Sequence, residues 1–273
     1  MLYLSVVNKM DIITSVSNKI IKFTASLKEK KYREESGCFI IEGEKFSKEM
    51  PDDWNVRYFL LSESFAQKHG SDWYKNRAET YVADNKSFNK AADADAPQGV
   101  LAVCEKKECS IELFLQNNSK NGLFLVALSE VSDPGNVGTI IRTADASGAN
   151  GVILSKNCAD VYNPKTLRST AGSIFHLPII HCDNFTKMIK TLNNSGIMTV
   201  AADVRSKKYP YSIDFTKKCC IIIGNEAKGL SAETVELCSE TVKVPMFGSA
   251  ESLNANVAAS VLIYEAVRQR IIV

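Results

Sequence analysis

The sequence predicts an α/β protein of two successive units, and three observations predict it. Short apolar runs rich in Val, Ile and Leu recur along the chain, as strands buried in a covered sheet do. Stretches with apolar residues at helical spacing separate them. One segment, "KKECSIELFLQNNSKNG" at 106–122, shifts to charge, Asn, Ser and Gly and reads as a linker.

The first unit is placed at 12–105. "SNKIIKFTASLKEKK" (17–31) has the spacing of one helix, "CFIIEG" (38–43) and "VRYFLLSE" (56–63) read as buried strands, and "GVLAVCE" (99–105) follows the turn "APQG". The second unit, 123–273, offers "LFLVALSEV", "GVILS", "IMTVAADV", "CCIIIGN" and "TVKVPM" as strands of a mostly parallel sheet with helices on both faces. At its end Ser252 or Asn254 can cap a helix with an apolar stripe of Val257, Ala258, Val261 and Leu262. The small residues Ala255, Ala258, Ala259 and Ser260 would let another element approach that helix closely.

A chain of 273 residues, 45% hydrophobic, can bury a core in each unit. The opening "MLYLSVVNKM" lacks the apolar core and cleavage site of a secretory signal, and no run approaches the ~18 apolar residues of a membrane span. The expected location is the cytoplasm, with no membrane partner. The eight cysteines are scattered without a CxxC pair and read as reduced thiols. Neither "CEKKEC" nor the His176, His181, Cys182 group has zinc spacing, so no metal is expected. The net charge of +2 is uninformative, but Lys19, Lys22, Lys28, Lys30, Lys31 and Arg33 crowd one stretch against Glu29. Such a run is either a solvated helix face or a phosphate-binding surface.

Three stretches carry chemistry. In "DPGNVGTIIRTADASG" (133–148) a tight turn over Asp133–Asn136 would lead into a helix capped by Asn136. Its stripe of Val137, Ile140, Ile141 and Ala144 leaves Thr139, Arg142 and Thr143 on the opposite face. A helix following a strand in this way begins at the carboxyl edge of the sheet, where α/β proteins bind ligands. "IIIGNEAKGL" (221–230) is a strand followed by glycines that let a ligand lie against backbone, with neither P-loop nor dinucleotide spacing. "VPMFGSAESLNANVAAS" (244–260) sets Glu251, Ser252 and Asn254 at the mouth of the last helix.

Together, in this order, the three stretches closely resemble the motifs of the SpoU (TrmH-like) branch of the SPOUT RNA methyltransferases, and "DVYNPKTLRSTAGSIFHLPI" (160–179) matches as well. The first unit, through "ITSVSNKIIKFTASLKEKKYREESGCFIIEGEKF" (13–46), resembles that family's substrate-binding domain, related in fold to an RNA-binding ribosomal protein. The resemblance implies a trefoil knot in the second unit and S-adenosylmethionine held by Ala201, Ala202, Gly224, Asn225, Gly229, Val244, Met246, Ser252 and Leu253. It implies methyl transfer to a ribose 2′-hydroxyl by Arg142, with Asn136 holding the arginine and Glu226, Ser252 and Asn254 around the ribose. A guanidinium stays protonated, so Arg142 is expected to stabilise the developing alkoxide rather than act as base. The basic run becomes an RNA contact, and a homodimer is implied, with the small-residue face of the last helix as its contact surface. Ala227, Lys228 and Asn256 depart from the family pattern. Ribosomal RNA is the expected substrate. The alternatives are transfer RNA, a base methyltransferase of the same architecture, or a catalytically silent RNA-binding protein.

Overall fold

The computed structural model describes residues 11–107, 109–118 and 122–271, so the reading of the first ten residues lies outside the described residues. The chain divides into two compact units after Lys106, with residues 162–164 grouped with the first.

In the first unit the order is β1 (Ile12–Ile13), α1 (Lys19–Ser26), α2 (Lys30–Ser36), β2 (Cys38–Glu42), α3 (Glu44–Glu49), β3 (Val56–Ser62), α4 (Glu63–His69), α5 (Asp72–Lys75), β4 (Thr80–Ala83), α6 (Asn85–Ala91) and β5 (Val100–Glu105). The sheet order is β1-β4-β3-β5-β2, with β1 and β3 parallel to β4 and β5 antiparallel to both β3 and β2. Ile21 of α1 and Phe88 and Ala91 of α6 close one face over Ile40, Leu60, Leu101 and Val103. The single helix expected over 17–31 is instead two. Asn18 caps α1 through its side chain, and the helix stops where Arg33 Nη1 takes the carbonyls of Leu27 (2.8 Å) and Lys28 (2.7 Å). A cation on terminal carbonyls ends a helix favourably, an effect that spacing alone does not display.

The segment expected as a linker carries α7 (Ile111–Asn117), capped by Ser110. Its Ile111 and Phe114 are buried in the core of the second unit. Then follow β6 (Phe124–Leu128), α8 (Pro134–Ala146), β7 (Gly151–Ser155), α9 (Pro164–Thr170), β8 (Ile179–Cys182), α10 (Phe185–Asn194), β9 (Met198–Ala202), β10 (Cys219–Ile223), α11 (Ala232–Leu237), β11 (Glu240–Val242) and α12 (Ala255–Ile271). The sheet is parallel at every pairing, in the order β11-β9-β10-β6-β7-β8. Leu125 and Ala127 of β6 and Cys220 and Ile222 of β10 pack with α7 and α10, while α8 and α12 contact each other, β7 and β10. The order reverses between β6 and β10, which makes their carboxyl ends a natural ligand crevice.

The buried face of α12 is Ala255, Ala259, Leu262, Ile263 and Ala266, so the expected stripe is corrected. Val257 and Val261 face outward with Tyr264. Of the small residues, Ala255 and Ala259 serve the unit's own core and Ser260 lies against Thr143 of α8. Ala258 and Ser260 are half-buried.

Candidate active site

The loop from β6 to α8 is fixed by its own polar groups. Asp133, not Asn136, is the N-cap of α8: its carboxylate accepts the Asn136 N–H (2.8 Å), and Pro134 occupies the first helical position, where no N–H is needed. The stretch expected as a tight turn is therefore already helix. Gly138 lets α8 meet α9, because a Cβ there would sit 2.4 Å from Ser169 Cβ and 2.6 Å from the Thr166 carbonyl. Upstream, Glu130 adopts a left-handed φ of 57°. It is held there by its N–H to Ser155 Oγ (2.9 Å) and by Asn225 Nδ2 donating to its carbonyl (2.8 Å).

Glu226, on the loop after β10, receives four donors: Ser132 N–H, Ser132 Oγ, Asp133 N–H and Asn136 Nδ2, the last at 3.0 Å. Burial pushes its carboxyl up, but the hydrogen bonds from Asn136, Ser132 and Asp133 outweigh it and hold the group below the ordinary glutamate value. Asn136, itself 6% exposed, accepts at Oδ1 from Asn256 Nδ2 (2.9 Å). One carboxylate and two amides thus connect the starts of α8 and α12 and the β10 loop. The expected grip of Asn136 on Arg142 is corrected: the amide is engaged by Glu226 and Asn256 instead. Asn256, seen in the sequence only as a departure from pattern, completes this chain.

A cavity of about 370 Å³ opens at the carboxyl ends of β9, β10 and β11. Ala202, Gly224, Asn225, Gly229, Val244, Met246, Ser252 and Leu253 line it, as do Glu226, Leu230, Lys243 and Ala258. Ala201 does not: it is fully buried in the sheet, one residue too early on β9 to reach the opening. Gly224 permits the loop to fold back, since a Cβ there would lie 2.5 Å from the Gly229 carbonyl carbon. Asn225 tightens the same loop by accepting the N–H groups of Ala227 and Lys228 at 3.0 Å each. At the rim Asp203 is held low by its bonds to Arg205, against burial that pushes it up. Asn254 caps α12, its Oδ1 accepting the Asn256 N–H at 2.9 Å, and Ser252 is exposed.

Arg142 is exposed on α8 and makes no hydrogen bond or ion pair among the described residues. Thr143, beside it, bonds Ser260 Oγ at 3.4 Å, which sets this part of α8 against α12. In the first unit Lys19 and Lys22 are exposed, Lys30 and Lys31 stand near Glu34 (3.5 Å) and Glu35 (3.9 Å), and Lys28 Nζ donates to the Lys90 carbonyl (3.0 Å). Arg33, expected as an RNA contact, is 1% exposed and engaged at the end of α1, so it cannot meet a phosphate.

A parallel sheet with a small-residue cavity at its carboxyl edge, bordered by three loops locked to one another, defines a ligand-binding α/β domain. The SpoU rRNA methylase family matches residues 123–264, and an MRM3-like substrate-binding domain matches residues 18–102. The chain is 33% identical, over 95% of its length and 92% of the relative's, to a 23S rRNA (uridine(2479)-2′-O)-methyltransferase of Streptomyces viridochromogenes. It is 31% identical to a 23S rRNA (guanosine(2553)-2′-O)-methyltransferase of Bacillus subtilis (strain 168), over 92% of this chain and 97% of that one. An AdoMet-bound rRNA methyltransferase from Sinorhizobium meliloti superposes with a TM-score of 0.85 at 30% identity, covering 95% of this chain and 98% of that one. The chain belongs to the SpoU rRNA methylase family.

Proposed function

We propose that this protein transfers the methyl group of S-adenosylmethionine to a ribose 2′-hydroxyl of ribosomal RNA, acting in the cytoplasm as a homodimer. The observation that carries the reading is the cavity at the ends of β9–β11, placed beside a locked Glu226–Asn136–Asn256 chain. The residues present suit the cofactor: the volume lies within the range of small-molecule sites, and the lining mixes backbone amides with Val244, Met246, Leu230 and Leu253. Gly224, Asn225, Gly229 and Ala202 would bring backbone against the adenosine, and the threaded trefoil implied by the family would hold it bent. When bound, the cofactor supplies a methyl group on a sulfonium, open to in-line attack by an alcohol.

The protein's part is to orient that alcohol and offset the charge it develops. Arg142 is the candidate for both tasks. Its planar fork can hold a phosphate oxygen and the ribose oxygen together, and no partner among the described residues competes for it. The proton then passes to a phosphate oxygen or to water, since a guanidinium does not deprotonate. Ser252, exposed at the mouth of α12, and Asn254 beside it are the candidates to contact the ribose. Glu226 and Asn136 fix the loops that carry these groups, and their bonding leaves them a positioning role.

The first unit, 12–105, is the RNA-binding domain of this reading, with Lys19 and Lys22 its freest cations and Lys28, Lys30 and Lys31 beside them. The outward Val257, Val261 and Tyr264 of α12 support a face for the second copy. Mapping ribose methylation across ribosomal RNA from cells with and without the protein tests the proposal. One 2′-O-methyl group should disappear with the protein and return with its expression; an unchanged ribosomal map with a lost transfer-RNA methyl would move the substrate.

A further inference from the structure

Near the cavity, on the connection from β9 to β10, stands a pair of rings that the site has not yet used. Tyr209 and Tyr211 stack with centroids 5.4 Å apart and planes at 22°. Tyr211 is the outer ring, 66% exposed, so one face of it is open. The pair is rigidly built. It spans the 3-10 turn Pro210–Ser212, in which Pro210 is buried, and Ser212 Oγ donates to the Tyr209 carbonyl at 2.7 Å. Gln269 of α12 closes the following strand of chain from both sides, donating to the Ile213 carbonyl (3.0 Å) and accepting the Phe215 N–H (2.9 Å).

The surroundings are cationic. Lys243 places its ammonium 5.5 Å from the Tyr209 centroid and also lines the cavity, so the rings begin where the cavity ends. Lys207 is exposed and has no ion-pair partner among the described residues. The nearby carboxylates are each neutralised: Asp203 by Arg205, Glu240 by Lys208 and Asp214 by Lys217. An open aromatic face, held in advance and backed by a ring that carries the Lys243 ammonium, suits an unpaired nucleobase with its phosphates. It suits a protein surface less well: the aliphatic Val257 and Val261 of α12 offer a second copy an uncharged face, and Tyr211 does not.

We infer that Tyr211, backed by Tyr209, is a stacking platform for an unpaired base flanking the methylated ribose, with Lys243 and Lys207 drawing in that nucleotide's phosphates. The inference rests on the methyl-transfer reading above and adds to it that the target lies in single-stranded RNA, where a neighbouring base can be splayed onto the ring. Tyr211 is a specificity residue in this account and takes no part in the chemistry.

The test uses the full chain, labelled S-adenosylmethionine, and ribosomal RNA extracted from cells lacking the protein. Tyr211→Ala should lower kcat/KM for the RNA about 10- to 100-fold, mainly through KM, as loss of one base–aromatic stack does. Tyr211→Phe should match wild type, because the ring is kept. Cofactor affinity, melting temperature and sedimentation mass should be the same in all three proteins. A Tyr211→Ala protein with wild-type kinetics overturns the platform and leaves the methyl-transfer reading standing. A loss of activity that comes with a fall in mass also overturns it, since a second copy would then cover the ring. If wild type itself binds the cofactor but labels no RNA, the parent reading fails and the platform with it.

Discussion

Two arginines show how differently this fold treats the same side chain. Arg33, in the first unit, is 1% exposed and its guanidinium closes the end of α1 by holding the Leu27 and Lys28 carbonyls. Arg142, in the second, rides on the exposed side of α8 with no polar partner among the described residues. Both lie within helices, and both follow stretches rich in polar residues. The difference is what surrounds them: Arg33 donates to two carbonyls that no backbone N–H takes among the described residues, whereas the polar groups nearest the start of α8 satisfy one another through Asp133, Glu226 and Asn256. An arginine is available to a ligand when the fold has met its neighbours' needs by other means.

Substitutions at the two arginines and their neighbours should have separable effects. The largest effect is expected from Arg142→Lys, which keeps charge and loses the fork. Single-turnover methyl transfer should fall about a hundred- to a thousandfold while cofactor affinity and melting temperature hold. Arg33→Leu should do the reverse. With the buried Leu27 carbonyl and the half-buried Lys28 carbonyl orphaned, stability should drop by about 2 kcal/mol in urea, and cofactor binding by the second unit should be untouched.

Glu226→Gln replaces an acceptor of four donors with a group that is half donor, and should cost about 2 kcal/mol near neutral pH. The sign with pH follows from its lowered pKa. The stabilisation is complete above the ordinary glutamate value and is lost as pH falls through the lower, folded value, so the wild-type and Glu226→Gln urea midpoints should converge in acid. A smaller effect belongs to the basic run. Lys19→Ala with Lys22→Ala should flatten the salt dependence of RNA binding by roughly one to two units of slope, and Lys30→Ala with Lys31→Ala by less, because Glu34 and Glu35 already stand beside those lysines. The smallest is Asn256→Ser, which shortens the reach to Asn136 and should lower stability by less than about 1 kcal/mol, read by thermal melting.

Much of this was legible in the residues. The α/β class and the long strands of both sheets follow from apolar runs bounded by turn residues, whereas the positions from Ala202 to Leu253 that line the cavity come only through the resemblance of the three motifs to a known family. What escaped has physical causes. The strands Ile12–Ile13, Thr80–Ala83 and Ile179–Cys182 are too short to show a period. The helix Ile111–Asn117 hides its two core residues among charge and amides, so a fragment begun at Leu123 would lose Ile111 and Phe114 from its core. The Arg33 cap and the Asn136–Asn256 bond depend on partners that helical periodicity does not register. Ala201 misses the cavity because a strand turns successive side chains to opposite faces.

Alkaline digestion distinguishes a methyl group on a ribose oxygen from one on a base. Ribosomal RNA from cells lacking the protein is incubated with the purified full chain and methyl-labelled cofactor, then digested with alkali. A 2′-O-methyl group blocks cleavage at its own phosphodiester, so the label should be recovered in an alkali-resistant dinucleotide. Label recovered in ordinary mononucleotides carrying a methylated base would contradict the account.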